Sequence, residues 1–302
     1  MEINRRKFLT LSAAGVASAA VLASAKPALA GSKASKKDHT NSSGMLVDTT
    51  LCVGCRACVV ACKQWNHNPA SPYIDADRDK TVTDTPLLRS DTFTNIRATE
   101  IAQVPQPQWV YTKIQCMHCN EPACVEACPV AALQKTPEGP VVYDDSRCIG
   151  CRYCMTACPF GIPTFQWESP TPWIRKCTFC ANRQKQGLQP ACSGTCPTGA
   201  LKFGRREDLI IEAKSRISTN PGMYVDHVYG ETEIGGTSWL YIAAVPFEML
   251  GLRNLQTESV TVNVKRAMNF VPPVLVGMAA AMTGIYFIAK RREKNRGNTV
   301  NK

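Results

Sequence analysis

The 302-residue sequence holds sixteen cysteines, and all of them fall into four quartets: Cys52, Cys55, Cys58 and Cys62; Cys116, Cys119, Cys124 and Cys128; Cys148, Cys151, Cys154 and Cys158; and Cys177, Cys180, Cys192 and Cys196. In the first and third quartets two-residue gaps separate three cysteines and a three-residue gap leads to the fourth. Iron–sulfur cubes take four soft thiolates. Two-residue gaps let one turn of loop present three of them, with backbone N–H groups facing the sulfurs. The fourth cysteine, followed by proline in three of the four groups, then reaches the neighbouring cube of a pair. Lys63 takes the place of that proline in the first group, and Gly54 and Gly150 permit the tight turns.

Other cysteine chemistries fit less well. Zinc prefers paired C-x2-C knuckles ten or more residues apart and has no use for a third cysteine two residues on. The fourth quartet, C-x2-C-x11-C-x3-C, would pass for zinc if it stood alone. A disulfide scaffold is poorly served by clusters of C-x2-C-x2-C. The histidines, His39, His67, His118 and His227, are scattered. His118 lies inside the second loop, where it is expected to shield or hydrogen-bond a cluster. There is no nucleophile–base grouping, phosphate loop or nicotinamide fingerprint, so no residue is predicted to be catalytic.

The elements that must position these thiols repeat along the chain. Met45–Cys62 aligns with Val141–Cys158, each a β-prone run ending in Asp before the cysteine loop. The second and fourth quartets also match, Cys128-Pro-Val-Ala-Ala-Leu133 against Cys196-Pro-Thr-Gly-Ala-Leu201. A two-motif unit therefore occurs at 45–135 and again at 141–204. Between the first two motifs, residues 63–112 carry Pro69, Pro72, Pro86, Pro105 and Pro107 among several aspartates. They read as a mostly irregular insertion, a partner-contacting surface rather than core, with a strand at Trp109–Thr112. Apolar residues at 209, 210, 213 and 217 predict a helix over 205–217. Residues 237–245, between a Gly pair and Pro246, predict a strand.

Both ends of the chain point to a membrane. Residues 1–30 join Arg5-Arg6-Lys7-Phe8-Leu9 to an apolar stretch and Ala28-Leu29-Ala30, which reads as a twin-arginine signal peptide. An ordinary secretory signal and an uncleaved anchor are the alternatives. Cubes need reduced thiolates and cytoplasmic assembly, and a route that exports folded protein reconciles sixteen cysteines with export. Residues 31–44 read as a linker, 45–255 as the cysteine domain and 256–266 as a second linker. Residues 267–289 lack charge. Twenty-three residues span ~34 Å as a helix, enough for a bilayer core of ~30 Å; a buried globular helix is the alternative. The basic tail at 290–302 places the C-terminus in the cytoplasm and the cysteines outside. Of the formal charge of +11, residues 1–30 carry +3 and the tail +5, leaving +3 for the body. Four loaded cubes, each adding about −2, would make the body acidic, which argues against nucleic-acid binding.

The four-motif pattern over 45–204, the extension to about 255 and the C-terminal anchor resemble the four-cluster ferredoxin-type β subunits of membrane-bound bacterial oxidoreductases. The hydrogenase-2 iron–sulfur subunit type is the nearer likeness and the formate dehydrogenase N β subunit the next, the latter including Gly235-Gly236-Thr237-Ser238. The resemblance implies an α+β body of tandem ferredoxin-like two-cluster units packed as one domain, with one transmembrane helix. It implies four [4Fe–4S] clusters: Cys52, Cys55, Cys58 and Cys196 at the first site; Cys62, Cys177, Cys180 and Cys192 at the second; Cys116, Cys119, Cys124 and Cys158 at the third; Cys128, Cys148, Cys151 and Cys154 at the fourth. It further implies a non-catalytic relay on the periplasmic side of the inner membrane. The relay would run between a catalytic subunit, a hydrogenase or alternatively a formate dehydrogenase or other molybdopterin enzyme, and a quinone-reactive or cytochrome b-type membrane subunit.

Overall fold

Two antiparallel strand pairs organise the cysteine loops. Strand β1 (Ser43–Asp48), which leads into the first loop, pairs with β8 (Leu201–Arg205), which leaves the fourth. Strand β4 (Leu133–Lys135), which leaves the second loop, pairs with β5 (Val141–Tyr143), which leads into the third, and the short β6 (Thr164–Phe165) and β7 (Ile174–Arg175) pair with each other between the third and fourth. The pairs β1·β8 and β4·β5 are equivalent in detail: Asp48 N–H donates to the Ala200 carbonyl at 2.9 Å, and Asp144 N–H to the Ala132 carbonyl at 2.8 Å. Spatially, then, the first motif goes with the fourth and the second with the third, although the repeat in sequence joins first with second.

The computed structural model of the chain describes residues 41–70, 88–102, 108–167, 169–170 and 172–300. The predicted signal peptide, most of the first linker and residues 71–87 and 103–107 of the insertion lie outside the described residues. The predicted linker ends earlier than 44, since Ser43 and Gly44 already open β1.

Strand β1 is the middle of a three-stranded sheet, with β9 (Trp239–Ile242) parallel to it on the other side. Strand alternation divides its side chains between two faces. Met45, Val47, Trp239 and Tyr241 face the cysteine region and pack with Cys58, Val59, Met117, Phe179 and Cys192. Leu46, Leu240 and Ile242 face the other way, against Leu209 and Ala213 of the helix Arg206–Thr219. That helix is the one expected over 205–217. Glu207 and Asp208 in its first turn complement the helix dipole, and Pro221 follows its end. The shorter helices all follow cysteine-loop turns: α1 (Ala57–Trp65), α2 (Ala123–Glu126), α3 (Tyr153–Ala157), α4 (Ala181–Gln184) and α5 (Ala191–Gly194), which makes the helix on the sheet α6.

The insertion differs from expectation. Its first residues complete α1, and β2 (Thr94–Ile101) pairs with β3 (Gln108–Gln115) over eight residue pairs. The hairpin contributes to the interior: Ile96 joins the core under the sheet, and Phe93 packs with Cys62, Cys116 and Cys177. The strand expected at 109–112 is the core of β3, which runs from Gln108 to Gln115; its partner β2 (TNIRATEI) carries Asn, Arg and Glu among its apolar residues and so lacked a clean strand pattern.

The extension after α6 is stitched to the second cysteine loop. Asn120 N–H donates to the Gly236 carbonyl at 2.9 Å, Ser238 N–H to the Met117 carbonyl at 3.2 Å and Ser238 Oγ to the His118 carbonyl at 3.0 Å. The Tyr241 hydroxyl accepts from Gln115 Nε2 at 2.6 Å and donates to the Lys113 carbonyl at 2.9 Å. The predicted linker 256–266 is also tied down: Thr261 is buried, its hydroxyl reaches Glu121 at 3.2 Å, and Ile234 N–H donates to the Gln256 carbonyl at 2.7 Å. Helix α7 (Thr261–Val300) then carries Pro273–Arg292, a stretch long and apolar enough to cross a membrane, none of it buried in the protein.

Gly230 marks the tightest point of this stitching. Its φ is +95°, and a Cβ there would collide with the Trp239 carbonyl oxygen and stand 2.6 Å from Thr237 Oγ1. Gly230→Ala is expected to cost about 2–4 kcal/mol. Gly222→Ala, at φ +84° with nothing within 4 Å, is expected to cost only about 1–2 kcal/mol of backbone strain. Thermal midpoints by circular dichroism should fall clearly further for Gly230→Ala.

Candidate iron–sulfur centres

The four loops share one backbone device. The second residue of the first two-residue gap is left-handed in every motif: Gly54 (φ 69°), His118 (φ 48°), Gly150 (φ 68°) and Phe179 (φ 53°). This turn aims the residue's own N–H back at the first cysteine. Gly150 N–H lies 3.4 Å from Cys148 Sγ, and Phe179 N–H 3.3 Å from Cys177 Sγ. A second turn recurs after each Cys-Pro, where Ala131, Gly161 and Gly199 take positive φ and donate back to the carbonyls of Cys128, Cys158 and Cys196. Ala132 N–H then points at Cys128 Sγ, 3.2 Å away. Donors aimed at sulfur favour the thiolate that a metal cluster requires.

The folded chain brings cysteines of different loops together, two sets of four of them around cavities. Cys52, Cys55, Cys58 and Cys196 line one cavity, together with Val47, Ile96 and Lys113. Cys62, Cys177, Cys180 and Cys192 line a second, with Thr94, Lys113, Phe179 and Trp239. Burial raises the Cys119 thiol well above its ordinary range, and Cys116, Cys124 and Cys158 around it raise it further. Burial pushes Cys154 up to about 11, with Cys128, Cys148 and Cys151 adding to the effect. Cys62 rises to about 12, through burial first, opposed by Lys113 and reinforced by Cys192, Cys180 and Cys58. Sites this dry hold bare thiols neutral, so ligation must displace their protons. Cys177 feels Cys62 and, next, Cys116, so the second and third groups adjoin.

The donors suit a cube better than a single ion. Among the described residues no three Cys, His, Asp or Glu side chains converge on one ion position. Tetrahedral zinc with Zn–S near 2.3 Å would need sulfurs ~3.8 Å apart. The fourth quartet is in any case divided: Cys196 lines the cavity of Cys52, and Cys177, Cys180 and Cys192 that of Cys62.

A family profile described as a 4Fe-4S dicluster domain matches residues 107–206. A protein of Nitratidesulfovibrio vulgaris is 45% identical, covering 97% of this chain and 78% of the relative. The hydrogenase-2 operon protein HybA of Escherichia coli O157:H7 is 34% identical over 97% of each chain. The chain belongs to the HybA-like family of iron–sulfur proteins. The formate dehydrogenase iron–sulfur subunit of Haemophilus influenzae is 36% identical, covering 68% of this chain and 66% of the relative. As a member of the HybA-like family the chain is an iron–sulfur electron-transfer protein.

Sequence reasoning missed the buried lysines of this HybA-like protein. Lys63, in the proline's place, is 6% exposed and donates to the Pro69 and Asp91 carbonyls at 3.0 and 3.1 Å, tying α1 to the insertion. Lys135 donates to the His118 carbonyl at 2.9 Å, and Lys176 to the Val141 and Cys177 carbonyls at 2.5 and 3.1 Å. Lys113 lies between the first two cavities. Burial pulls its ammonium down, but Cys192, Cys58, Cys177 and Cys62 outweigh this and its pKa is raised. Lysine normally stays at the surface, so composition offers no hint of these roles. His118, anticipated as a shield, is fully buried; Val141 N–H donates to its Nδ1 at 2.9 Å and its ring stacks on Phe179 at 5.1 Å.

Two glycines give a matched test. Gly54 and Gly150 have φ of +69° and +68°, but a Cβ on Gly54 would meet the Tyr111 ring at 2.5 Å, and one on Gly150 only Phe165 at 3.7 Å. Gly54→Ala should therefore lose more iron than Gly150→Ala when both are purified without oxygen and assayed for metal.

Proposed function

We propose that the four cysteine groups hold four [4Fe–4S] clusters and that the chain relays electrons between a catalytic subunit and a quinone-reactive or cytochrome b-type membrane subunit. The observation that carries this reading is the pair of cavities each lined by four cysteines drawn from two distant loops. The ligand sets are Cys52, Cys55, Cys58 and Cys196; Cys62, Cys177, Cys180 and Cys192; Cys116, Cys119, Cys124 and Cys158; and Cys128, Cys148, Cys151 and Cys154. The strand pairs β1·β8 and β4·β5 support this crossed pairing, and with it two ferredoxin-like halves in one domain.

Each cube, when bound, takes up and releases one electron. The chain's own part is to hold the thiolates, aim N–H groups at them and keep water out. Cys55 and Cys151 are its exposed cysteines, flanked by exposed Val53, Ile149 and Tyr153. The first and fourth groups thus meet the surface and form the two ends of the relay, while the second and third lie inside. No residue is assigned bond chemistry. The unburied apolar run of α7 serves as a membrane anchor. The basic segment beyond it and the twin-arginine pattern at the N-terminus support a cysteine domain on the periplasmic side and a C-terminus in the cytoplasm. A hydrogenase partner is favoured because the match to HybA spans 97% of both chains, whereas that to a formate dehydrogenase iron–sulfur subunit spans 68% of this one; a formate dehydrogenase or other molybdopterin enzyme is the second reading.

Anaerobically purified protein should contain about sixteen irons and as many acid-labile sulfides, four per cube; zinc, or disulfides without iron, would overturn the assignment. A co-purifying large subunit with nickel, rather than molybdenum, should identify the partner. Cys158→Ser should damage the cluster of Cys116, Cys119 and Cys124 more than the one enclosed by its own loop, as read by electron paramagnetic resonance. The reverse result would exclude the crossed pairing.

A further inference from the structure

Lys113 is 1% exposed and lines both the Cys52 cavity and the Cys62 cavity. Its ammonium donates to the Thr94 hydroxyl and stands 5.0 Å from the centre of the Trp239 ring. Among the described residues it has no carboxylate partner. The buried carboxylates Asp48 and Glu233 are engaged elsewhere, by Arg216 at 2.9 Å and His227 at 2.6 Å. Lys135 and Lys176 differ from it, because backbone carbonyls hold their ammonium groups. A hydroxyl and an aromatic face are a poor substitute for water around a buried cation, and such a charge calls for an anion nearby. The anions within reach are those of the two loaded cysteine sites.

We propose that Lys113 is the shared countercharge of the first and second clusters and holds the reduction potentials of both above those they would have without it. The inference rests on the ligand assignment above. A loaded site carries about −2 when oxidised and about −3 when reduced, so a fixed positive charge stabilises the reduced form more. The step is the arrival of one electron from a neighbouring site, with no bond made or broken and no proton taken up, because the ammonium keeps its charge throughout. Thr94 and Trp239, the two contacts of the ammonium, line the second cavity and not the first, so the second site feels it more. Two adjoining sites raised together make a stretch of the relay where an electron rests rather than returns.

The test is a redox titration of the full chain, purified without oxygen and followed by electron paramagnetic resonance, for the native protein and for Lys113→Met, Lys113→Gln and Lys113→Arg. Iron and sulfide are counted first on the native protein; a shortfall from about sixteen irons there overturns the ligand assignment and leaves the lysine out of it. With all four clusters present, Lys113→Met should lower the reduced-to-oxidised ratio of two clusters at least tenfold at the native midpoint. That corresponds to ~59 mV for a one-electron couple. The other two clusters should move less than twofold, and Lys113→Arg should hold all four within about threefold. No shift, an equal shift of all four, or an arginine variant as displaced as the methionine one would overturn the proposal. If Lys113→Met fails to load, Lys113→Gln, neutral but able to bond Thr94, is titrated against the same expectation. Loss of both sites in both neutral variants would make Lys113 an assembly residue and overturn its role in setting potential.

Discussion

The protein is built around the need to take clusters of anionic sulfur out of water. Buried charge is tolerated only where donors and countercharges meet it, and the chain supplies both. Left-handed turns at Gly54, His118, Gly150 and Phe179 recur in all four loops, at sulfur-facing positions where ordinary helix or strand geometry would turn the N–H away. Lysines that composition would place in solvent are folded inward beside the cysteines. The sheet, the hairpin β2–β3 and the Gly230–Tyr241 segment then close over these loops.

Closing over them requires exchange. In the proposed ligand sets a single loop offers three cysteines to its own site and sends the fourth away, and the two cavities lined by cysteines of two loops support that reading. Strand pairs β1·β8 and β4·β5 solve this twice with the same geometry, down to the equivalent hydrogen bonds at Asp48 and Asp144. Pairing β1 with β8 brings residues more than 150 positions apart into register. Such contacts are slow to form in a bare chain, and in the proposed ligand sets metal ligation would link the same distant segments and reinforce them.

The likeness to HybA runs along nearly the whole chain, and that to a formate dehydrogenase iron–sulfur subunit along about two thirds of it. The family profile for a 4Fe-4S dicluster domain falls on residues 107–206, which hold the last three cysteine quartets and the strands β4, β5 and β8.

Much of this was legible from residue type and spacing. Sixteen cysteines at iron–sulfur spacing, the helix over α6, the strand at β9 and the apolar run in α7 are local patterns, written in gaps of two and three and in periods of two and 3.6. The spacing determines which residues can be ligands, because a loop of that length can present them in no other way as readily. Which loop completes which site depends on strand register between segments far apart, so spacing left it open and only the family resemblance offered a pairing. The same holds for β2, read as irregular although its partner strand at 109–112 was expected, and for Lys113, whose burial arises only when Trp239 and two cysteine loops converge on it. Short-range spacing named the candidate ligands, and long-range packing brought cysteines of distant loops together around Lys113.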